Sequence, residues 1–219
     1  MKVVLSLDYS YTNYSISLYQ LKRTKIIKII GFYRNNNYKN NILFFLYLKN
    51  ILNKNKITLS QIKYIIYGKT IGDIKNIKII KCISKGIAYI LNIPIIKISK
   101  LKALAFGAWF DFNHSYIISC MKISKFFYNI GVFELKLSED DFHIPITLSK
   151  EKKINIKNKQ IINNNDIKLY KFNKFIFTGK GVLFLNRLNL NGFIIKTLET
   201  ERMPESTYII RLALAKRIM

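Results

Sequence analysis

Residues 57–108, ITLSQIKYIIYGKTIGDIKNIKIIKCISKGIAYILNIPIIKISKLKALAFGA, constrain the fold more tightly than any other part of the chain. Ile62–Tyr67 is a short run rich in β-branched and aromatic residues, and Gly68 and Gly72 bracket the turn that follows it. Asp73 is placed to cap a helix running to about Leu91, and Asn92–Pro94 stops it, since proline cannot continue the helical hydrogen bonding. Ile95–Ile98 is a second strand pattern, and Ser99 can cap a helix through Trp109. A strand–helix–strand–helix order joins parallel strands through helical crossovers, so it demands a layered α/β architecture.

The segments before it fit the same layering. Lys2–Leu7 and Tyr14–Tyr19 read as two strands joined at Asp8–Thr12, and Lys25–Tyr33 adds a third strand to the meander. Tyr38–Asn53 reads as a helix with Phe44, Phe45, Leu48, Ile51 and Leu52 on one face. Ile42, Leu43, Leu46 and Tyr47 carry the apolar surface round to the other side. A helix that only covers a sheet should turn a polar face to water, so this second apolar side calls for either a second layer over it or a partner, and a partner-facing role is the reading taken. Its contact set is Ile42, Leu43, Leu46, Tyr47 and Asn50. The helix from Asp73 to Leu91 lines up Lys78, Lys81 and Lys85 as one stripe beside a wide apolar arc. In that arc Ser84 and Ala88 are small residues one turn apart, which would let another helix approach closely. Ile77, Ile80, Ser84 and Ala88 are therefore the expected partner contacts on this helix.

Downstream, the polar break Asp111–Ser115 precedes strand runs at Tyr116–Cys120 and Phe126–Leu135. Residues 146–171 are dominated by Lys, Asn and Ile and read as a worn-down helix with loops. Lys174–Thr178 is a strand followed by the glycine turn Gly179-Lys180-Gly181, and Pro204 starts a last helix whose buried stripe is Tyr208, Ile209, Leu212 and Ala215.

Few residues suggest chemistry. Cys82 and Cys120 are isolated and read as two buried thiols in a reducing compartment, and His114 and His143 have no metal-ligand spacing. The acidic run Ser138–Asp141 offers adjacent carboxylates that point different ways, which describes a solvated loop. The turn Gly68–Gly72 lacks the Walker pattern, and Asp73 at the helix start would repel an anion. No apolar run reaches the ~18–20 residues of a membrane helix, and the start, MKVVLSLDYS, alternates like a strand. The reading is a soluble cytoplasmic protein. The net charge of +25 invites an RNA-binding reading, but Asn, Ile, Tyr and Phe are enriched together with Lys. Those five share adenine- and thymine-rich codons, and selection for phosphate binding would have raised Lys and Arg alone.

The order of short strand, glycine turn, long helix, Ile93-Pro94-Ile95 with Ser99, and Leu101 with Ala103-Leu104-Ala105 and Gly107-Ala108 resembles the TsaB (YeaZ) family. The stretch around Pro204, Leu212 and Ala213 resembles that family's last helix. The resemblance implies an α/β, actin-like ATPase (ASKHA, ribonuclease H-like) fold of two lobes, each a mixed sheet flanked by helices. One lobe would comprise residues 1–99 plus 203–219, and a second, degenerate one residues 100–202. It further implies a non-catalytic scaffold that binds a TsaD-like subunit through the helices at 38–53 and 73–91. Such a scaffold supports threonylcarbamoyl transfer to an adenosine of tRNA, the t6A modification. On this reading there is no catalytic residue, metal or cofactor in the chain. ATP and metal belong to partner subunits, a TsaE-like ATPase joins the set, tRNA is reached indirectly, no membrane is involved, and the chain alone can form a homodimer. Asp8, Ser10 and Thr12 would mark a vestigial phosphate hairpin, crowded by Tyr9, Tyr11 and Tyr14. The chain departs from the family at Thr70, Asn76, Ile80 and Cys82, where glycines are usual, and of the second lobe's Asp-Ala-Arg-x-x-Glu-Val-Tyr segment only Tyr128 matches. The alternatives are a basic RNA-binding protein and a weak nucleotide-binding enzyme of the same fold.

Overall fold

The computed structural model describes residues 2–10, 13–22, 25–35, 42–69, 74–124, 126–137, 143–147, 152–155, 174–181, 195–199 and 206–215. The chain divides into two compact units: Met1–Lys69 with Asp73–Ile98 and Glu205–Met219, and Thr70–Gly72 with Ser99–Pro204.

In the first unit the meander β1 (Lys2–Ser10), β2 (Asn13–Lys22) and β3 (Lys25–Asn35) is antiparallel. Helix α1 (Ile42–Lys54) leads into β4 (Ile62–Lys69), and α2 (Ile74–Leu91) into β5 (Ile95–Ser99). The sheet order is β3-β2-β1-β4-β5, with β4 parallel to β1. Strand β1 is buried on both sides, which its two-residue period divides cleanly. Val3, Leu5 and Leu7 join Ile16, Leu18, Ile62 and Ile65 in a core with Phe44, Leu48, Ile51 and Leu52 of α1 and Ile80 and Ala88 of α2. The other side carries Ser6 and Ser17, and there α4 (Ser206–Ala215) docks. The Ser6 hydroxyl donates to the Ser206 carbonyl at 2.8 Å, and the Ser206 N–H donates to Ser15 Oγ at 3.0 Å. Ile209, Ile210, Leu212 and Ala213 of α4 are fully buried.

The second unit repeats the plan. Helix α3 (Lys100–Phe112) begins at Ser99, whose side chain accepts the Lys102 N–H at 3.3 Å, and ends at Asn113 in the left-handed conformation. Strands β6 (Tyr116–Lys122), β7 (Phe127–Leu137), β8 (His143–Thr147), β9 (Lys152–Asn155), β10 (Phe175–Thr178) and β11 (Ile195–Glu199) form a sheet ordered β11-β10-β6-β7-β8, with β9 also on β7. Pairing is antiparallel among β6, β7, β8 and β9 and parallel for β10 with β6 and with β11. An antiparallel meander with parallel strands added beside its first member is thus present in both units.

The worn-down helix expected over residues 146–171 is corrected in part. Strand β8 ends inside that stretch and β9 lies within it, because both find a ladder partner in β7. β11 had no counterpart in the sequence reading. Pro204 and the acidic run Ser138–Asp141 lie outside the described residues.

Candidate partner-binding surface

Helix α1 turns Phe44, Leu48, Ile51 and Leu52 into the core, and an aromatic cluster fixes that register. The Tyr14 ring sits 5.5 Å from Phe44 edge-on and 6.2 Å from Tyr47. This orientation leaves Phe45 54% and Leu46 51% exposed, with Asn50 exposed and Tyr47 half-buried. Two apolar side chains in the second turn of one helix are therefore left about half in water by the packing of their neighbours. Ile42 and Leu43 belong to α1, but their side chains lie outside the described residues.

On α2 the expected contact face requires correction. Ile80, Ser84 and Ala88 are 1%, 0% and 5% exposed, and Ile77 is half-buried. These positions face the sheet. The small side chains at Ser84 and Ala88 do provide close approach, but it is α2 against its own sheet that uses them. The outward side instead carries Lys75, Lys78, Lys81, Cys82, Lys85 and Gly86, and ends in Tyr89 and Ile90, 90% and 79% exposed. Sequence reasoning missed Tyr89. The signal was its spacing, since it continues the Lys78, Lys81, Lys85 stripe by one further turn.

The other candidates resolve into packing. Asp8 is buried at 1% exposure, opposite Ser15 in the β1–β2 register. Ser10 is described in backbone only, and Thr12 and Asp73 lie outside the described residues. The Gly179-Lys180-Gly181 turn serves close approach. Gly179 has φ +101°, a Cβ there would overlap the Cys120 carbonyl, and one at Gly181 would meet the Cys120 sulfur. The Gly181 N–H donates to the Cys120 carbonyl at 3.0 Å, tying the turn to β6. The Cys120 thiol is fully enclosed, and burial pushes its pKa far up. Cys82, expected to be buried, is exposed, because it falls on the outer stripe of α2. His114 is held structurally, its Nε2 3.0 Å from the Lys174 carbonyl and its ring edge-on to Tyr116. The Tyr116 hydroxyl donates to Glu134 at 3.2 Å, and burial with the Glu134 charge raises its pKa. Among the described residues no three His, Cys, Asp or Glu side chains converge to hold a metal, and no helix is long and apolar enough to cross a membrane.

Two units of repeated topology, each a mixed sheet, with α1, α2 and α4 packed on the first and α3 on the second, define an α/β, actin-like ATPase fold. Two Pseudomonas aeruginosa structures share it across nearly the whole chain. One is described as similar to the peptidase YeaZ (TM-score 0.77, 17% identity, covering 97% of this chain and 90% of that one). The second is YeaZ itself (TM-score 0.76, 15% identity, covering 97% and 91%). No family profile matches the chain. In sequence it is 28% identical, over 116 residues, to the tRNA threonylcarbamoyladenosine biosynthesis protein TsaB of Buchnera aphidicola. That match spans 53% of this chain and 53% of its relative, about half of each. The chain is thus similar in sequence to TsaB over about half its length and shares its fold with the two YeaZ-like structures.

Proposed function

We propose that this chain is a non-catalytic scaffold of tRNA threonylcarbamoyladenosine synthesis, working in the cytoplasm. It binds a TsaD-like subunit through the outer face of α1 and supports threonylcarbamoyl transfer to an adenosine of tRNA. The observation that carries the reading is the pair Phe45 and Leu46, each more than half exposed on a helix whose Phe44, Leu48, Ile51 and Leu52 are buried in the core. Fully burying a large apolar side chain is worth about 1.5–3 kcal/mol, so the half of each that remains in water leaves about 1 kcal/mol apiece for a partner surface to recover. Tyr47 and Asn50 flank them, and Ile42 and Leu43 extend the same helix toward its start. The likeness to a protein named for this biosynthesis supports the pathway. The ATP and metal chemistry of the reaction belongs to the other subunits.

Size-exclusion chromatography with light scattering, on the chain mixed with the TsaD-like protein of the same source, tests this. A stable heterodimer is expected. Leu46→Lys should abolish it and leave the circular dichroism and melting of the chain unchanged, because that side chain already reaches water. Failure of the wild-type chain to bind, or undiminished binding by Leu46→Lys, would overturn the assignment.

A further inference from the structure

The first unit gathers positive charge at one end of its sheet. Residues 1–98 and 205–219 carry 20 Lys and Arg against 3 Asp and Glu, whereas residues 99–204 carry 17 against 9. Drift toward adenine- and thymine-rich codons acts on both units alike, so it accounts for the abundance of lysine but not for the missing acids of the first unit. Strand register shows where the imbalance falls. β1 starts at Lys2, β2 ends at Lys22 and β3 starts at Lys25, the last two directly opposite each other. Lys63 is the extra residue of β4 between the register pairs Val3 with Ile62 and Val4 with Tyr64, so it occupies a bulge beside the start of β1. Helix α1 ends at Lys54, and Lys56, with φ +53°, turns the chain toward β4. The Lys56 N–H donates to the Asn53 carbonyl and the Ile57 N–H to the Leu52 carbonyl, each at 3.0 Å, which fixes that turn.

Lys2, Lys54, Lys56 and Lys63 are all exposed, and among the described residues none of them meets a carboxylate. The unit's one described acid, Asp8, is buried and lies about 20 Å farther along β1. The partial negative charge at the end of α1 offsets about half a unit, far short of four ammonium groups.

We infer that this end of the first sheet binds the phosphate backbone of RNA directly. Closely set lysines neutralise phosphates and release their counterions, and such contacts carry no base information, so the duplex arms of a tRNA fit the surface. The surface is separate from the apolar pair on α1, because Lys54 lies about 12 Å beyond Leu46 along the helix axis. A subunit seated on the pair leaves the lysines open, and the scaffold itself then holds tRNA. The polyanion site stands on charge and register, and tRNA as its occupant rests on the scaffold reading.

Fluorescence anisotropy on the full chain tests this with an unmodified tRNA transcript and an RNA hairpin of scrambled sequence, and co-sedimentation tests phosphatidylglycerol vesicles. Two variants lose the same charge: Lys2→Gln/Lys54→Gln/Lys56→Asn/Lys63→Gln at this end, and Lys75→Gln/Lys78→Gln/Lys81→Gln/Lys85→Gln on α2. All these lysines are exposed and asparagine suits the left-handed backbone at position 56, so melting curves should match the wild type. The first variant should lose at least about tenfold in RNA affinity at about 0.1 M salt, and its slope of log affinity against log salt should flatten by about 2–4. The α2 variant should lose clearly less, and the hairpin should bind as the tRNA does. Equal losses in the two variants would make binding a property of net charge and overturn the site, as would a wild type that binds no RNA. Vesicle binding stronger than RNA binding, and lost in the first variant, would make this a lipid surface and overturn the RNA assignment. Heterodimer formation with the TsaD-like protein is scored separately: its failure overturns the scaffold reading, while RNA binding at these lysines stands.

Discussion

Glycine carries opposite meanings at two positions of this chain, and the local surroundings decide which. Gly86 has empty space where a side chain would go, whereas Gly179 holds a φ of +101° against the Cys120 carbonyl. Gly179→Ala therefore combines a strained backbone with overlap against a main-chain atom that cannot swing away. It should cost about 2–4 kcal/mol, measured by urea unfolding, and be much worse than any exposed glycine-to-alanine change. The same contrast separates the cysteines. Cys82 is in water and should react with a thiol reagent in the native protein, and Cys120 only after unfolding.

At the scale of elements, α4 shows how a helix is fastened to a sheet from a distant part of the chain. Ser6 and Ser15 sit on the side of the first sheet that α4 covers, and each forms a hydrogen bond to the backbone of Ser206 at the helix start. The Ser206 N–H is one of the amides that a helix cannot satisfy internally. Ser15→Ala leaves that buried amide without its acceptor and should destabilise the first unit by about 1–3 kcal/mol, read from the urea midpoint. Helix α2 illustrates the complementary device. Ser84 and Ala88, being small, bring it down onto its sheet, and the residues on its opposite side are thereby committed to solvent or to a partner.

For the whole molecule, the buried acids bear on pH. Burial raises the pKa of Cys120, of Tyr67 and, with help from the Glu134 charge, of Tyr116. For each, the folded state holds the proton more tightly than the unfolded chain does. Their contribution is fully present below the unfolded values, about 8.5 for a thiol and about 10 for a tyrosine, and is lost as pH rises beyond them. Cys120 dominates the early part of that range. Between pH about 7 and about 10, the wild type should lose up to roughly 2 kcal/mol more stability than Cys120→Ala does. Urea unfolding of both proteins at the two pH values measures it. Equal losses would mean that the thiol is not enclosed as described.

The sequence by itself determined the layering. Ile62–Tyr67, the helix ending at Asn92–Pro94, the strand from Ile95 and the Ser99 cap are legible because they depend on neighbours in the chain: side-chain period, capping hydroxyls, and residues that cannot continue a helix. β9 and β11 escaped notice because a four- or five-residue strand is stabilised by the ladder it joins, and its own short composition, KKIN or IKTLE, says little. The tertiary structure alone decided which side of each amphipathic helix faces inward. On α2 an apolar arc wide enough for either orientation runs through Ile77, Ile80 and Ser84, and periodicity cannot choose between its two edges. The choice is made by fit to the sheet, where Ile80, Ser84 and Ala88 pack against a core that includes Leu7, Ile65 and Phe44. Burial is a property of two surfaces together, and the chain spells out only one of them at a time.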